Sequence, residues 1–197
     1  MPQGLQTNRT LRVDLSFCIP VFNFGDFLPE TLQSVLEQLP EDAEIVVLDG
    51  GSTDGTDSFM RAAVASNPRV RYIRQDAPGG IDNDLAASIQ CAKGRFCWLL
   101  SGDDTLRPGA VRKVVECLSG NPDLVLLAHT NCSSTMEYIG DHPVLDVDQD
   151  WRVDLGVDSD RRRWLSKART TEALFSFMST LVIRREFWIA QPSQPEF

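Results

Sequence analysis

At 197 residues the chain is long enough for one substantial domain with a full core, and 42% hydrophobic with 24% charged residues is ordinary for a globular protein. Nineteen basic against 28 acidic side chains give a formal charge of −9, which argues against nonspecific binding to nucleic acid or anionic lipid. A phosphorylated ligand stays open, because a bound cation can supply positive charge locally.

Five cysteines, at 18, 91, 97, 117 and 132, form no CxxC pair and read as small buried hydrophobes in a reducing compartment. His129 and His142 are too few for a zinc site. The polar first ten residues do not read as a signal peptide, and no apolar run approaches the roughly 20 residues needed to span a bilayer. A cytoplasmic location is expected, with peripheral association at the inner membrane face left open.

In chain order, residues 1–12 carry no pattern and are expected to be a loose arm. Asp14 to Ile19 reads as a buried strand closed by Pro20, followed by a turn through Val21-Phe22-Asn23-Phe24-Gly25. Asp26 is the expected cap of a helix burying Leu28, Leu32, Val35, Leu36 and Leu39, which Pro40 stops. Glu44 to Leu48 is a second buried strand, near-continuous in β-branched residues as parallel strands are. The loop Asp49 to Gly55 leads to Thr56, the expected cap of the next helix. Val70 to Ile73 is a third strand, and Asp82 to Ala92 reads as helix.

Phe96 to Leu100 is an apolar run of strand length that ends in Ser101-Gly102-Asp103-Asp104. Two adjacent carboxylates raise one another's pKa unless a cation neutralises them. That turn therefore points to a hard divalent cation bridging to phosphate. Pro108 opens a helix with a Val111, Val114, Val115 and Leu118 stripe, and Leu124 to Ala128 is a fifth strand. Strand and helix thus alternate five times, the pattern of a mainly parallel α/β sheet flanked by helices. Ligands of such sheets lie at the carboxyl ends of the strands. Those ends carry Asn23, Asp49, Ser52, Asp54, Asp82, Asp84, Asp103 and Asp104.

Beyond His129 the pattern loosens. Met136 to Val147 reads as irregular strand, and residues 146–163 as a highly charged solvated loop or a flap whose Arg161, Arg162 and Arg163 reach a diphosphate. A short helix over Thr170 to Phe177, a strand over Thr180 to Ile183 and a helical turn from Arg185 to Ala190 complete the expectation.

Pro20-Val21-Phe22-Asn23, Ile45 to Thr56 (IVVLDGGSTDGT) and the strand ending SGDD resemble, in order and spacing, the family 2 glycosyltransferases of GT-A fold. GGIDNDLAASIQCAKGRFCWLLSGDD with SFMSTLVIRREFW is similar to the abequosyltransferase-type branch of bacterial surface polysaccharide synthesis. The resemblance implies an inverting, metal-dependent transfer of a sugar from a nucleotide-diphosphate donor to a hydroxyl of a saccharide or lipid-linked acceptor. It implies a Rossmann-like donor core over residues 13–128 and an acceptor-side region over 129–197, incomplete at its C-terminus. Asp49 would contact the nucleoside base, while Gly50 replaces the family's second aspartate there. Pro20, Phe22, Asn23, Asp82, Asp84, Ser101 and Gly102 would lie along the donor. Asp103 is the leading ligand of Mg²⁺ or Mn²⁺ and Asp104 the second, with Ser101 where the family commonly has a carboxylate.

Three other readings compete. A receiver-like module would place its carboxylate pair after the first strand, where this chain has Ile19-Pro20. A nucleotidyltransferase would want a glycine-rich basic loop there, and Val21 to Gly25 holds no Lys or Arg. A catalytically silent sugar-nucleotide binder differs only in turnover. No general base stands out: Glu137, Glu172, Glu186 and Glu196 lack the family's context, and Glu172 is a weak candidate at a helix start where the dipole keeps it ionised. The expectation is a donor-binding core that stops before or at the acceptor site.

Overall fold

A computed structural model describes residues 14–133, 135–175 and 177–190. The expected arm at 1–12, the tail from Gln191 and Glu196 lie outside the described residues. The first half alternates as its periodicity requires: β1 (Leu15–Val21), α1 (Leu28–Leu36), β2 (Ala43–Asp49), α2 (Thr56–Ser66), β3 (Val70–Arg74), α3 (Ile81–Cys91), β4 (Phe96–Leu99) and α4 (Ala110–Leu118). The second half is more broken, with β5 (Leu124–Leu126), β6 (His129–Cys132), β7 (Tyr138–His142), α5 (Asp158–Lys167), β8 (Leu181–Arg184) and α6 (Arg185–Ile189). Two single 3₁₀ turns, Thr171–Leu174 and Met178–Thr180, lead into β8.

One six-stranded sheet runs in the order β3-β2-β1-β4-β8-β5. β3, β2, β1 and β4 are parallel, and β8 lies antiparallel between β4 and β5. β1 and β2 are buried along their whole length, as expected of strands covered on both faces. One face carries Phe17, Ile19, Ile45, Val47 and Trp98 against Leu28, Leu32, Val35, Met60 and Val114, with Phe17 stacked on Trp98 at 5.4 Å. The other carries Cys18, Val46, Cys97 and Leu99 against Ile89 and Leu85. A hairpin of β6 and β7 stands apart from this sheet.

The far side of the sheet is built from the fifth strand and from the strand expected over Thr180 to Ile183. The fifth strand does not sit beside β4: β8, drawn from late in the chain, takes that place. The run Leu181-Val182-Ile183 is buried between β4 and β5, whereas the equally apolar β5 is half-buried outside it. Caps also differ. Phe27, not Asp26, caps α1, and Gly55 precedes α2 while Asp54 Oδ1 accepts from the Thr56 backbone N–H at 2.9 Å. Residues 146–163 are not all loop, because α5 begins at Asp158; acidic side chains open it and Lys167 closes it, complementing the helix dipole. Cys18 and Cys97 are buried as expected, whereas Cys117 and Cys132 are exposed.

Candidate active site

Because β1, β2 and β4 are parallel, their carboxyl ends emerge on one edge and bring Asn23, Asp49 and the Ser101–Asp104 turn together. The turns after β1 and β2 are stitched to each other. Asn23, held at φ +60°, donates its backbone N–H to Ser52 Oγ at 2.8 Å and accepts from the Thr53 backbone N–H at 2.8 Å. Asp54 Oδ2 accepts from the Gly25 backbone N–H at 2.8 Å. Pro20 is buried beneath this seam and Phe22 is exposed above it.

Asp49 is fully buried. Oδ1 accepts from the Ser52 backbone N–H (2.8 Å) and Oγ (2.6 Å), and Oδ2 from Tyr72 Oη (2.5 Å) and Arg74 Nη1 (2.8 Å). A carboxylate offers about four acceptor sites, and all are taken. Burial acts to raise its pKa, but Ser52, Tyr72 and Arg74 outweigh it and hold the carboxyl below the ordinary range. Tyr72 is pushed up, by burial first and then by its bond to Asp49. The sheet register makes this cluster possible, since Arg74 lies directly across from Asp49. Arg74 Nη2 then reaches Ser52 O at 2.7 Å, fixing the loop that carries Asp54. The sequence reading missed Tyr72 and Arg74, although alternation along β3 would have placed both beside Asp49.

Asp82 is exposed on the first turn of α3, and Asp84 is buried. Asp84 Oδ1 accepts from the Gly79 backbone N–H at 3.2 Å. A Cβ built on Gly50 would lie 2.9 Å from Asp84 Oδ2 and 3.2 Å from Pro78 Cα. The space a side chain at position 50 would enter is therefore filled by the Asp84 carboxylate. The two positions exclude each other: a carboxylate from α3 stands where the strand-2 motif lacks one.

In the central turn, Ser101 and Asp103 are joined by a hydrogen bond from Ser101 Oγ to Asp103 Oδ1, and Asp103 is otherwise open to solvent. Gly102 is buried, and a Cβ there would meet Val21 Cγ1 at 2.8 Å and Phe24 at 3.0 Å, so glycine lets the turn sit against β1. Thr31 Oγ1 donates to Gly102 O at 2.9 Å from below. Ser179 Oγ accepts from the Ser101 backbone N–H at 2.9 Å, tying the turn to the strap before β8. Asp104 is more buried than its neighbour. Burial pushes its carboxyl up; Ser179 opposes this by a hydrogen bond, Asp103 adds to it, and His129 opposes it. Expected as a pair, the two aspartates face different surroundings.

Mg²⁺ is commonly held by one or two carboxylates completed by phosphate and water oxygens. An exposed Asp103 with a hydroxyl beside it fits such a partial, hard-oxygen site. Among the described residues no group of three or more His, Cys, Asp or Glu forms a self-contained metal cage.

Past β5 the chain lays His129 across from His142 in the β6–β7 hairpin. Their rings stack at 4.8 Å, and Phe177 lies 4.8 Å from His129 on another side. Glu172 Oε1 is 3.5 Å from His142 Nε2, long for a hydrogen bond. His129 Nδ1 is buried without a hydrogen-bond partner among the described residues, an arrangement that costs roughly 1–3 kcal/mol. Burial pushes His129 below the ordinary histidine range, His142 adds to this, and Glu172 and Asp104 oppose it. Glu172 is held below the carboxylate range by the Thr170 hydroxyl first, then by its own backbone and by His142. The sequence brought the two histidines up only to set aside zinc.

Two of the three arginines of the charged segment have local partners. Arg161 pairs with Asp158, and Arg163 covers Trp151 at 4.7 Å, with Trp151 stacked on Trp164 at 6.0 Å. A cavity of about 180 Å³ there is bordered by Asp146, Trp151, Arg163 and Lys167.

Fold and edge together define an α/β protein with a mainly parallel sheet and polar groups gathered at the strand carboxyl ends. Residues 16–177 match the family described as Glycosyl transferase family 2, and the chain belongs to that family. It is similar to the abequosyltransferase RfbV of Salmonella typhimurium, 29% identical over 181 residues that cover 89% of this chain and 54% of the relative. It is also similar to the succinoglycan biosynthesis protein ExoO of Rhizobium meliloti, 36% identical over 52% of this chain and 29% of the relative. The chain thus spans about half or less of the length of these relatives. In structure, residues 1–349 of TarS from S. aureus match with a TM-score of 0.68 at 17% identity, covering 87% of this chain and 47% of that one. At that identity the likeness shows the fold, which is GT-A.

Proposed function

We propose that this chain binds the nucleoside diphosphate of an activated sugar along the strand carboxyl edge, and transfers the sugar with inversion to a hydroxyl of a saccharide or lipid-linked acceptor. The observation that carries the reading is the Asp49 cluster stitched to the Asn23 and Ser52 turns, beside an open Asp103. In a family 2 chain these polar groups gather where an α/β sheet takes its ligand. TarS has been solved with UDP and with UDP-GlcNAc, and a Pyrobaculum calidifontis mannosyltransferase with GDP-Man and Mn²⁺. The RfbV and ExoO names favour surface polysaccharide synthesis as the setting.

The roles follow from geometry. Asp49 has no free acceptor site, so it shapes the nucleoside pocket through Ser52, Tyr72 and Arg74 rather than by bonding the base itself. Asp84, with Asp82 beside it on α3, borders the donor next to Gly50. Asp103 is the carboxylate open to Mg²⁺ or Mn²⁺, whereas Asp104 is turned toward Ser179. When bound, the cation neutralises charge on the departing diphosphate. Asn23 and Gly102 hold the two turns that frame the donor, and Pro20, Phe22 and Ser101 complete its floor and rim. Among the described residues no helix is long and apolar enough to cross a membrane.

A thermal-shift screen of nucleotide sugars, with and without Mn²⁺, tests the reading. A rise in Tm with a subset of UDP- or GDP-sugars is expected, because a ligand that binds only the folded state stabilises it. No shift with any nucleotide sugar at millimolar concentration would contradict it.

A further inference from the structure

We propose that the cavity between the Asp146 to Trp151 segment and α5 binds one neutral sugar ring, and that this ring belongs to the acceptor. The assignment to the acceptor rests on the transferase reading above; the binding of a sugar does not.

The cavity measures about 180 Å³, and its walls come from two segments zipped to each other. The Asp146 backbone N–H donates to Lys167 O at 2.7 Å, the Arg169 backbone N–H donates to Val144 O at 2.9 Å, and Leu145 forms an antiparallel bridge with Ala168. One wall is an indole held in place. Trp151 stacks on Trp164 at 6.0 Å, and the Arg163 guanidinium lies 4.7 Å over it. Trp164 is buried and anchored in turn, its Nε1 donating to Ala173 O at 3.1 Å. The site is therefore largely built before any ligand arrives, which lowers the ordering cost of binding.

The polar groups of the lining are of two kinds. Asp146 is spent, paired with Lys167 and Arg169. The side chains of Asp148, Gln149, Trp151 and Arg163 make no hydrogen bond to the described residues. Between them they offer a carboxylate acceptor, an amide that donates and accepts, an indole N–H and a guanidinium fork. A hydroxyl also donates and accepts, so neighbouring hydroxyls on one ring can use this mixture.

Charge and size choose among ligands. Two carboxylates against two cations leave the lining without net charge, so a phosphate or diphosphate finds no net attraction there. The volume lies below the roughly 300–1,000 Å³ of pockets for larger organic ligands, and suits about one pyranose. A pyranose carries hydroxyls on its rim and C–H groups on its faces, and Trp151 and Val147 supply apolar wall for the latter.

Topology ties the cavity to the strand carboxyl edge. β4 and β5 are both antiparallel to β8, so the chain leaves β5 on the edge that carries the central turn. It continues there as β6, which pairs with β7, and β7 leads to Val144 and the first wall. From Arg169 the second wall runs on into the two 3₁₀ turns, where Ser179 Oγ accepts from the Ser101 backbone N–H at 2.9 Å. Both walls thus continue into elements that start or end beside the central turn.

NMR of the indole N–H groups tests the proposal. The chain has four tryptophans, and Trp151→Phe identifies the Trp151 resonance by its loss. The probes are the methyl glycosides of glucose, galactose, mannose and N-acetylglucosamine, with inorganic phosphate and pyrophosphate beside them. At least one glycoside should shift the Trp151 resonance with a Kd of about 1–10 mM, the range of a small site with few contacts, and neither anion should. Asp148→Ala combined with Gln149→Ala should weaken that glycoside about tenfold through the loss of two hydrogen bonds. The pair should leave the urea midpoint in place, because neither side chain bonds to the described residues. No Trp151 shift with any glycoside at about 100 mM would overturn the proposal. So would a shift with phosphate or pyrophosphate instead, or unchanged glycoside affinity in the double variant. Wild type that binds a glycoside but neither UDP nor GDP would sink the transferase reading and with it the acceptor assignment, while the sugar site stands.

Discussion

The surroundings of Asp49 and those of His129 are built on opposite terms. Both carboxylate oxygens of Asp49 are paired inside the fold, beside strands buried along their whole length. Around His129 the rings are half-exposed, Nδ1 is unpaired among the described residues, and Glu172 stands 3.5 Å from its partner. A saturated cluster holds a shape but has no capacity left for chemistry. An unsaturated one is costly for folding yet retains a lone pair to use. The contrast is one of construction: one half is held by a closed polar cluster, the other leaves polar atoms without protein partners among the described residues.

Substitutions can break that comparison. Asp49→Ala is expected to have the largest effect on stability, roughly 2–4 kcal/mol in urea unfolding. It removes four hydrogen bonds and takes from Arg74 its ion-pair partner; the loss stays below that of a sealed ion pair because Arg74 keeps some exposure and its bond to Ser52 O. A cost under about 0.5 kcal/mol would mean that the cluster does not hold the donor half. The same residue sets an acid limit. Its folded pKa lies below the unfolded value of about 3.9, so its contribution is present above that pH and is lost as pH falls through the folded value. Asp49→Asn should therefore flatten the acid limb of the stability profile, measured by urea midpoints between about pH 2 and 6.

Gly50→Asp restores the carboxylate that the strand-2 motif lacks, and should cost roughly 1–3 kcal/mol by crowding and repelling Asp84. In an Asp84→Ala background the cost should shrink, giving a measurable coupling in a double-mutant cycle. Additive effects would show that the two positions do not share one space. His129→Gln is expected to change stability least, by about 0.5 kcal/mol or less in either direction. A loss as large as that of Asp49→Ala would erase the distinction between the halves.

Much of the donor half was legible in the sequence, because buried parallel strands announce themselves as β-branched runs and their ends as polar turns. Asn23, Asp49 and the SGDD turn were placed on the edge by that logic alone. The partners of Asp49 were not, since Tyr72 and Arg74 come from a neighbouring strand and meet it only through register. The exclusion between Gly50 and Asp84 was hidden for the same reason: it joins a loop to a helix more than thirty residues away. On the acceptor side sequence separation defeats pattern. His129, His142 and Glu172 lie far apart in the chain, and β8 enters the sheet between strands that precede it by more than fifty residues. Short, half-exposed elements carry little periodicity, so α5 was read as loop.

The central claim is that the carboxyl edge takes a nucleoside diphosphate with the help of a cation held at Asp103. Calorimetric titration with UDP and GDP, in Mn²⁺ and again in EDTA, on wild type and Asp103→Ala, tests it most directly. For the nucleotide that binds, wild type should show affinity at least about tenfold tighter with Mn²⁺, because diphosphate and carboxylate repel without a cation between them. Asp103→Ala should bind weakly and equally in both buffers. Equal affinities for wild type in Mn²⁺ and in EDTA would contradict the claim.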